Sequence, residues 1–152
     1  MKKIFIYTLL FSLSFLWSCN EENNPIGQDF VVAFKDASID FSKIDNEKTI
    51  NLIYSKVAEQ DGQLHIKVTE DKATYNVDYS TSIAVTNQEI IIPIKKGETS
   101  TSFTFKNLIY PFDRSDKTIQ FEITKIDYPS AIIQGYSSTK ISFENLIGGT
   151  MD

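Results

Sequence analysis

From Phe30 onward, apolar and polar residues alternate along this chain, and no other feature constrains its fold as strongly. Successive side chains of a β-strand point to opposite faces of a sheet, so a strand with one buried face carries an apolar residue at every second position. The clearest alternating segments are Ile50 to Tyr54, Leu64 to Val68, Phe103 to Phe105, Ile119 to Ile123 and Ile141 to Phe143. No stretch of this region repeats apolar residues at helical spacing, and the pattern therefore predicts an all-β domain.

Turn-forming residues separate these segments at short intervals, as they do in antiparallel sheet proteins. They are Asp61-Gly62, Asn87-Gln88, Lys96-Gly97, Asp113 to Asp116 and Gln134-Gly135. Together with the alternation they predict a single antiparallel β-sandwich of seven to eight strands over residues 30–147, with a frayed tail at 148–152. Pro93 lies in the apolar run from Ile90 to Ile94 and has no N–H, so that strand is expected at a sheet edge or a bulge.

The first 18 residues have the order of a secretory signal peptide. Two lysines precede an apolar run from Ile4 to Trp17, which is short for a membrane-spanning helix, and the single cysteine of the chain follows at Cys19. This order resembles bacterial lipoprotein signals, in which the cysteine receives acyl chains such as palmitate and becomes the mature N-terminus. The resemblance predicts a signal peptide at 1–18, lipidation of Cys19 and a location at the outer membrane. An ordinary secreted protein and an uncleaved anchor are the alternatives.

Residues 19–29 are polar, with one isoleucine, a proline and a glycine. Such a segment cannot bury enough apolar surface to offset its chain entropy, so we expect a lipidated cysteine followed by a flexible tether. Glu21 and Glu22 resemble the acidic surface-export signal of lipoproteins from some glycan-degrading Gram-negative bacteria, which implies surface exposure; a merely soluble acidic linker is the alternative. Loss of the two leading lysines takes the net charge from −5 to −7, which argues against a nucleic-acid partner.

Several segments resemble, in the same order, those of Calx-β domains. The stretch Ala73 to Tyr79 is similar to the Gly-Thr-Ala-x-x-Gly-x-Asp-Tyr stretch of that family, and Ile92 to Thr99 is similar to its strand ending in Pro-Gly-Glu-Thr. Acidic residues in a turn precede Phe121 to Ile123, and Ala131 to Gly135 resembles the late Ala-x-Leu-Gly turn. The resemblance spans about Phe30 to Asn145 and implies a Calx-β or related immunoglobulin-like sandwich. It also implies that Tyr79 packs against the core.

Some Calx-β domains bind calcium at one end of the sandwich, where the cation needs six to eight oxygen ligands. The positions that match here are Asp78, Asp113 and Asp116. Two other positions depart from the family, since Ile119 stands where a glutamate is expected and Asn76 where a glycine is expected. We therefore expect no cofactor, with calcium at the three aspartates as the alternative.

The chain offers few catalytic groups. His65 is the only histidine, and its parity places it on the face opposite Leu64 and Ile66, which predicts an exposed strand residue. With Cys19 lipidated no thiol remains, and no glycine-rich phosphate loop or nucleophile elbow is present in the sequence. These observations predict that the protein is not an enzyme.

The leading hypothesis is a lipid-anchored, non-catalytic adhesion or protein-interaction module of the cell envelope. A glycan-binding accessory lipoprotein of a polysaccharide uptake system is the first alternative, with Tyr110 and Tyr136 as aromatic platforms. A structural subunit of an envelope assembly is the second. The uncharged stretch Thr99 to Ser102 raises one further possibility, an edge that accepts a partner strand, although an internal strand is the interpretation we favour.

Overall fold

The computed structural model describes residues 29–42, 45–109 and 116–143, which form ten β-strands and contain no helix. The strands are β1 (Phe30–Phe34), β2 (Ser38–Phe41), β3 (Glu47–Tyr54), β4 (Gly62–Asp71), β5 (Tyr79–Thr81), β6 (Glu89–Ile94), β7 (Ser100–Asn107), β8 (Thr118–Asp127), β9 (Ala131–Ile133) and β10 (Ser138–Phe143). The predicted all-β class is confirmed, but the predicted number of seven to eight strands is wrong. Three of the strands, β2, β5 and β9, have only three or four residues, too few to show a period of two.

Two five-stranded sheets make up the sandwich. The first sheet has the order β5-β7-β3-β1-β9 and the second has the order β2-β10-β8-β4-β6. Most neighbours are antiparallel, as predicted, but β9 pairs with β1 and β2 pairs with β10 in parallel. The edge position expected for the strand with Pro93 is confirmed, because β6 is the outermost strand of the second sheet.

Aromatic and branched side chains from alternate strand positions fill the space between the sheets. Phe30, Phe34, Phe105 and Phe121 are fully buried, and Tyr79 stacks on Phe105 with 5.0 Å between ring centroids. Each large apolar side chain removed from water in this way stabilises the fold by roughly 1.5–3 kcal/mol. The alternation in the sequence therefore predicted the core, because the buried residues of each long strand are its apolar ones.

The sandwich has two ends that matter for function. The near end is where β1 begins at Phe30, and it carries the connections 55–61, 95–99 and 128–130. The far end carries the turn 72–78 between β4 and β5 and the start of β8.

Part of the predicted domain organisation lies outside the described residues, namely the signal peptide at 1–18, Cys19, the tether up to Gln28 and the tail at 148–152. Among the residues described, no helix has the length and apolar character needed to cross a membrane.

Candidate functional site

The far end holds Asp78, which is the most buried of the predicted site residues that the structure describes. Its side chain is buried, with the residue only 8% exposed. The Thr74 N–H donates to its Oδ2 at 2.8 Å, and the Lys117 ammonium donates to its Oδ1 at 2.6 Å. The turn that presents it is closed by N–H donation from Val77 and Asp78 to the carbonyl of Thr74. Both oxygens of this carboxylate are thus occupied by groups of the chain itself.

A second aspartate–lysine pair lies at the same end but on the surface. Asp116 accepts a hydrogen bond from Lys72, and both side chains are well exposed. This hydrogen bond lowers the pKa of Asp116 and raises the pKa of Lys72 from their ordinary values. Solvent screening leaves such an exposed pair little influence on stability.

The described residues do not compose the calcium site that the resemblance implies. Asp78 and Asp116 each face a lysine ammonium, whereas calcium needs several free oxygen ligands. Within 29–42, 45–109 and 116–143, no group of three or more acidic, histidine or cysteine side chains is placed to hold a metal ion. Asp113 lies outside these ranges, so calcium binding at the three aspartates stays a prediction. Equal melting temperatures in calcium and in a chelator would exclude it.

Tyr79 joins the core to the far end through a contact that sequence reasoning missed. Its ring is fully buried, as the resemblance implied, and its hydroxyl donates to Glu70 Oε1 at 2.7 Å. The Tyr75 N–H donates to the same oxygen at 3.0 Å. Burial raises the pKa of Tyr79, and the Glu70 carboxylate adds to the rise. The far end is therefore a closed network in which each of these polar groups has a partner.

Of the two tyrosines predicted as glycan platforms, only Tyr136 lies within the described residues. Tyr136 is 55% exposed, and its carbonyl accepts a hydrogen bond from the Phe34 N–H at 2.8 Å. Two other exposed apolar residues, Ile132 and Ile133, lie on β9 close by in the sequence. Tyr110 lies outside the described residues.

His65 takes part in a polar contact across three strands of the second sheet. Its Nδ1 lies 3.1 Å from Glu89 Oε1 on β6, and its Nε2 lies 2.9 Å from Asp127 Oδ2 on β8. Carboxylates only accept hydrogen bonds, so both contacts are hydrogen bonds only when both ring nitrogens carry protons. The outward parity of His65 agrees with the prediction, but its side chain is only 16% exposed. When both nitrogens are protonated, this ring links the edge strand β6 to β8 across β4.

The strand that begins after Thr99 combines both interpretations of that stretch. In the sheet order β7 lies between β3 and β5, which makes it internal. However, β5 pairs only with the last three residues of β7, Phe105 to Asn107. The first half of β7 therefore has a strand neighbour on one side only among the residues that the structure describes.

Comparisons with known proteins show the fold. No family model and no curated protein matches the sequence. Among solved structures, the apo-form Calx CBD1 domain superposes with a TM-score of 0.58 at 7% identity, over 77% of this chain and 99% of that one. The Calx CBD2 domain gives 0.57 at 10% identity, over 77% and 87%. A third similar structure, with a TM-score of 0.57 at 6% identity over 75% of this chain and 45% of that one, is described as the calcium binding domain CBD12 of CALX1.1. The chain therefore has a Calx-β-like β-sandwich fold, as its sequence segments predicted.

Proposed function

We propose that this protein is a lipid-anchored, non-catalytic binding module of the bacterial cell envelope. The observation that carries the proposal is where the chain enters the fold. Strand β1 starts with the buried Phe30, and ten residues lie between it and Cys19. Ten residues extend to at most about 35 Å, so acyl chains on Cys19 would hold the domain close to a membrane while leaving it free to turn.

The junction at the near end is firmly held. The Phe30 N–H donates to the carbonyl of Ser130 at 3.1 Å, and the Ser55 hydroxyl donates to the carbonyl of Asp29 at 3.1 Å. A pull on the tether would thus act on a strand that is hydrogen-bonded from its first residue. The far end points away from this attachment, so an anchored domain keeps its far end and its sheet edges accessible to partners.

The chemistry of the described residues supports binding rather than catalysis. His65, the only histidine of the chain, lies between two carboxylates, and no described hydroxyl is hydrogen-bonded to its ring as a nucleophile would be to a general base. The carboxylates of Asp78 and Glu70 are likewise held by donors of the chain itself. A binding role is compatible with this arrangement, because it does not require these side chains to transfer protons.

The anchor is tested by metabolic labelling with radioactive palmitate. We expect the full chain to incorporate label and to remain with the membrane fraction, and Cys19→Ser to lose both properties while keeping its β-sheet circular dichroism. Ser18→Ala serves as a matched neighbour that keeps the thiol. Recovery of unlabelled full chain from the culture medium would contradict the proposal. Protease treatment of intact cells then distinguishes surface display from a periplasmic location.

The exposed ring of Tyr136 favours glycan binding as a second candidate function. In that case a polysaccharide should change the tyrosine fluorescence of the protein. Tyr136→Ala should abolish the change, whereas Tyr136→Phe, which keeps the flat ring face, should retain most of the affinity. No response to a broad polysaccharide panel would remove this candidate and leave the protein-interaction role.

A further inference from the structure

One side of the sandwich has an incomplete edge on the first sheet. The Ser82 N–H donates to the carbonyl of Thr104, and the Thr104 N–H donates to the Ser82 hydroxyl, so the backbone of Thr104 faces β5. Ser100 and Ser102 have the same parity as Thr104 and therefore turn their N–H and C=O groups to the same side. The chain leaves β7 after Ser82, and no described residue pairs with Ser100 or Ser102 there.

The facing edge of the second sheet is closed to a donor strand by its sequence. The Val68 N–H donates to the carbonyl of Gln88, so the alternation of the ladder turns the backbone of Ile91 and Pro93 away from β4. Pro93 has no N–H, which is a common way of blocking an edge strand. A strand arriving at this side of the molecule thus finds regularly spaced donors and acceptors only on β7.

A groove separates the two edges. We call it the seam; it has a volume of about 300 Å³ and is lined by Ile83, Ile92, Pro93, Lys95, Glu98 and Ser100 to Ser102. The partly buried Ile83 and the exposed Pro93 supply apolar surface, and Lys95 and Glu98 have opposite charges. The connection 95–99 bounds the seam towards the near end. The seam is therefore half apolar, without net charge, and open along a row of backbone groups.

A buried and unsatisfied hydroxyl lies beside the seam. Tyr54 is 8% exposed, and its hydroxyl has no hydrogen-bond partner among the described residues. Burial raises the pKa of Tyr54 to about 12; the Thr101 hydroxyl opposes the rise, and the Glu98 carboxylate adds to it. The hydroxyls of Thr101 and Tyr54 are neighbours, but they do not form a hydrogen bond. Both of these neighbours line the seam, so the unpaired group belongs to the same place as the unpaired backbone.

We propose that the seam accepts an extended segment of a partner protein, which adds to β7 at Ser100 and Ser102 as a strand in line with β5. Two N–H and two C=O groups at the spacing of a strand match the backbone of another strand. The apolar seam suits an aliphatic side chain at alternate positions of that segment, and the opposite charges at its rim favour a segment without net charge. This inference names the partner class of the proposed binding module and rests on that role, but not on the lipid anchor.

Labelled peptides test the proposal. The full chain, purified in detergent, is titrated with fluorescent twelve-residue peptides in which valine or isoleucine alternates with threonine, and anisotropy is recorded. Because strand addition recognises the backbone, several of these peptides should bind. N-methylation at alternate residues of the peptide, in the register that faces β7, should weaken binding about tenfold or more, since each lost hydrogen bond contributes of the order of 1 kcal/mol.

Two proline variants assign the edge. Ser102→Pro removes an outward N–H of β7 without removing a ladder hydrogen bond to β3, and it should weaken binding about tenfold. Ile91→Pro removes the corresponding N–H of β6 and should leave binding unchanged. Melting temperatures verify that both variants fold; if Ser102→Pro does not, the N-methylated peptides decide alone.

Four results would overturn the proposal. They are the failure of every alternating peptide to bind, equal binding of the N-methylated peptides, loss of binding in Ile91→Pro only, and a dimer of the chain that Ser102→Pro dissolves while no peptide binds. The last result would assign the seam to a second copy. If the full chain incorporates no palmitate, the results of these peptide-binding experiments are unaffected. The anchor proposal and the seam proposal can therefore be disproved independently.

Discussion

Two buried tyrosines show how the far end of the sandwich differs from the seam. The hydroxyl of Tyr79 donates to Glu70 at 2.7 Å, whereas the hydroxyl of Tyr54 has no partner among the described residues. Burial raises the pKa of both phenols. The hydroxyl of the same side chain is thus satisfied on β5 and not on β3, two strands of the first sheet that β7 separates.

The backbone repeats this difference. At the far end the Leu108 N–H donates to the backbone carbonyl of Asp78. The Asp78 carboxylate accepts hydrogen bonds from Thr74 and Lys117. At the seam the outward groups of Ser100 and Ser102 have no described partner. The Tyr54 hydroxyl is buried without a described partner, which costs free energy that a ligand could recover by supplying one. Ser100 and Ser102 are exposed, so a strand added there would exchange hydrogen bonds with water for hydrogen bonds with protein. The chain completes its far end by itself and leaves the seam for another molecule.

The largest expected effect follows from removal of the carboxylate at the centre of the far end. Asp78→Ala leaves the partly buried Lys117 ammonium and the Thr74 N–H without their acceptor. We expect a loss of about 2–3 kcal/mol in the free energy of unfolding, measured by urea denaturation.

The exposed pair provides the matched control. Asp116→Ala also removes an aspartate bonded to a lysine, but both partners are exposed. We expect no measurable change in the urea midpoint. Equal losses in Asp78→Ala and Asp116→Ala would contradict the view that burial makes the first pair structural.

A smaller loss is expected when the buried hydroxyl of the far end is removed. Tyr79→Phe keeps the stack on Phe105 and deletes only the donor to Glu70. A hydrogen bond to a charged group contributes about 1.5–3 kcal/mol, and Glu70 keeps the Tyr75 N–H, so the lower part of that range is expected. Thermal and urea unfolding measure it. A variant as stable as the wild type would mean that water replaces the hydroxyl at no cost.

Sequence reasoning predicted the long strands and missed the short ones for a physical reason. Strands of six to ten residues, such as β4 and β8, bury one face over enough positions to show a period of two. The three-residue strands β5 and β9 lie at sheet edges, where pairing of three residues with one longer neighbour defines each of them. Their existence is a property of the neighbour as much as of their own residues.

The candidate sites were less predictable because their partners are distant in sequence. Asp78 was singled out through the resemblance, but its partner Lys117 is 39 positions away, and no local pattern joins them. The sequence favours an internal strand at Ser102 over an open edge, because the openness depends on β5 ending at Thr81. Only the spatial arrangement decides which backbone groups of a strand lack a neighbour.

The contribution of Asp127, on the second sheet, to the stability of the fold is expected to depend modestly on pH. The pKa of Asp127 lies below its ordinary value of 3.8, chiefly because Lys125 donates a hydrogen bond to it, with His65 contributing. A carboxylate with a lowered pKa stabilises the fold at a pH above its unfolded value and loses that contribution as the pH falls through the folded value. Asp127→Asn should therefore lower the melting temperature slightly at pH 6 and hardly at all at a pH below the folded pKa of Asp127.

A neighbouring carboxylate provides the control for this pH effect. Glu122 is exposed on the same strand and forms no ion pair among the described residues, so Glu122→Gln should show no such pH dependence. An equal effect of Asp127→Asn at both pH values would contradict the electrostatic explanation. It would point to packing instead.

The smallest effect, and the most informative one, is expected from the same substitution at the seam. Tyr54→Phe removes a buried hydroxyl that has no described partner, so nothing is lost from the folded state except an unsatisfied polar atom. Removal of such a group is close to neutral or slightly stabilising, within about 0.5 kcal/mol in urea unfolding. Because the two tyrosines lie at different ends, the effect in the double variant with Tyr79→Phe should be the sum of the single effects. If Tyr54→Phe instead destabilises the protein as much as Tyr79→Phe does, the hydroxyl has a partner within the chain, the seam is already complete, and the difference between the two ends disappears.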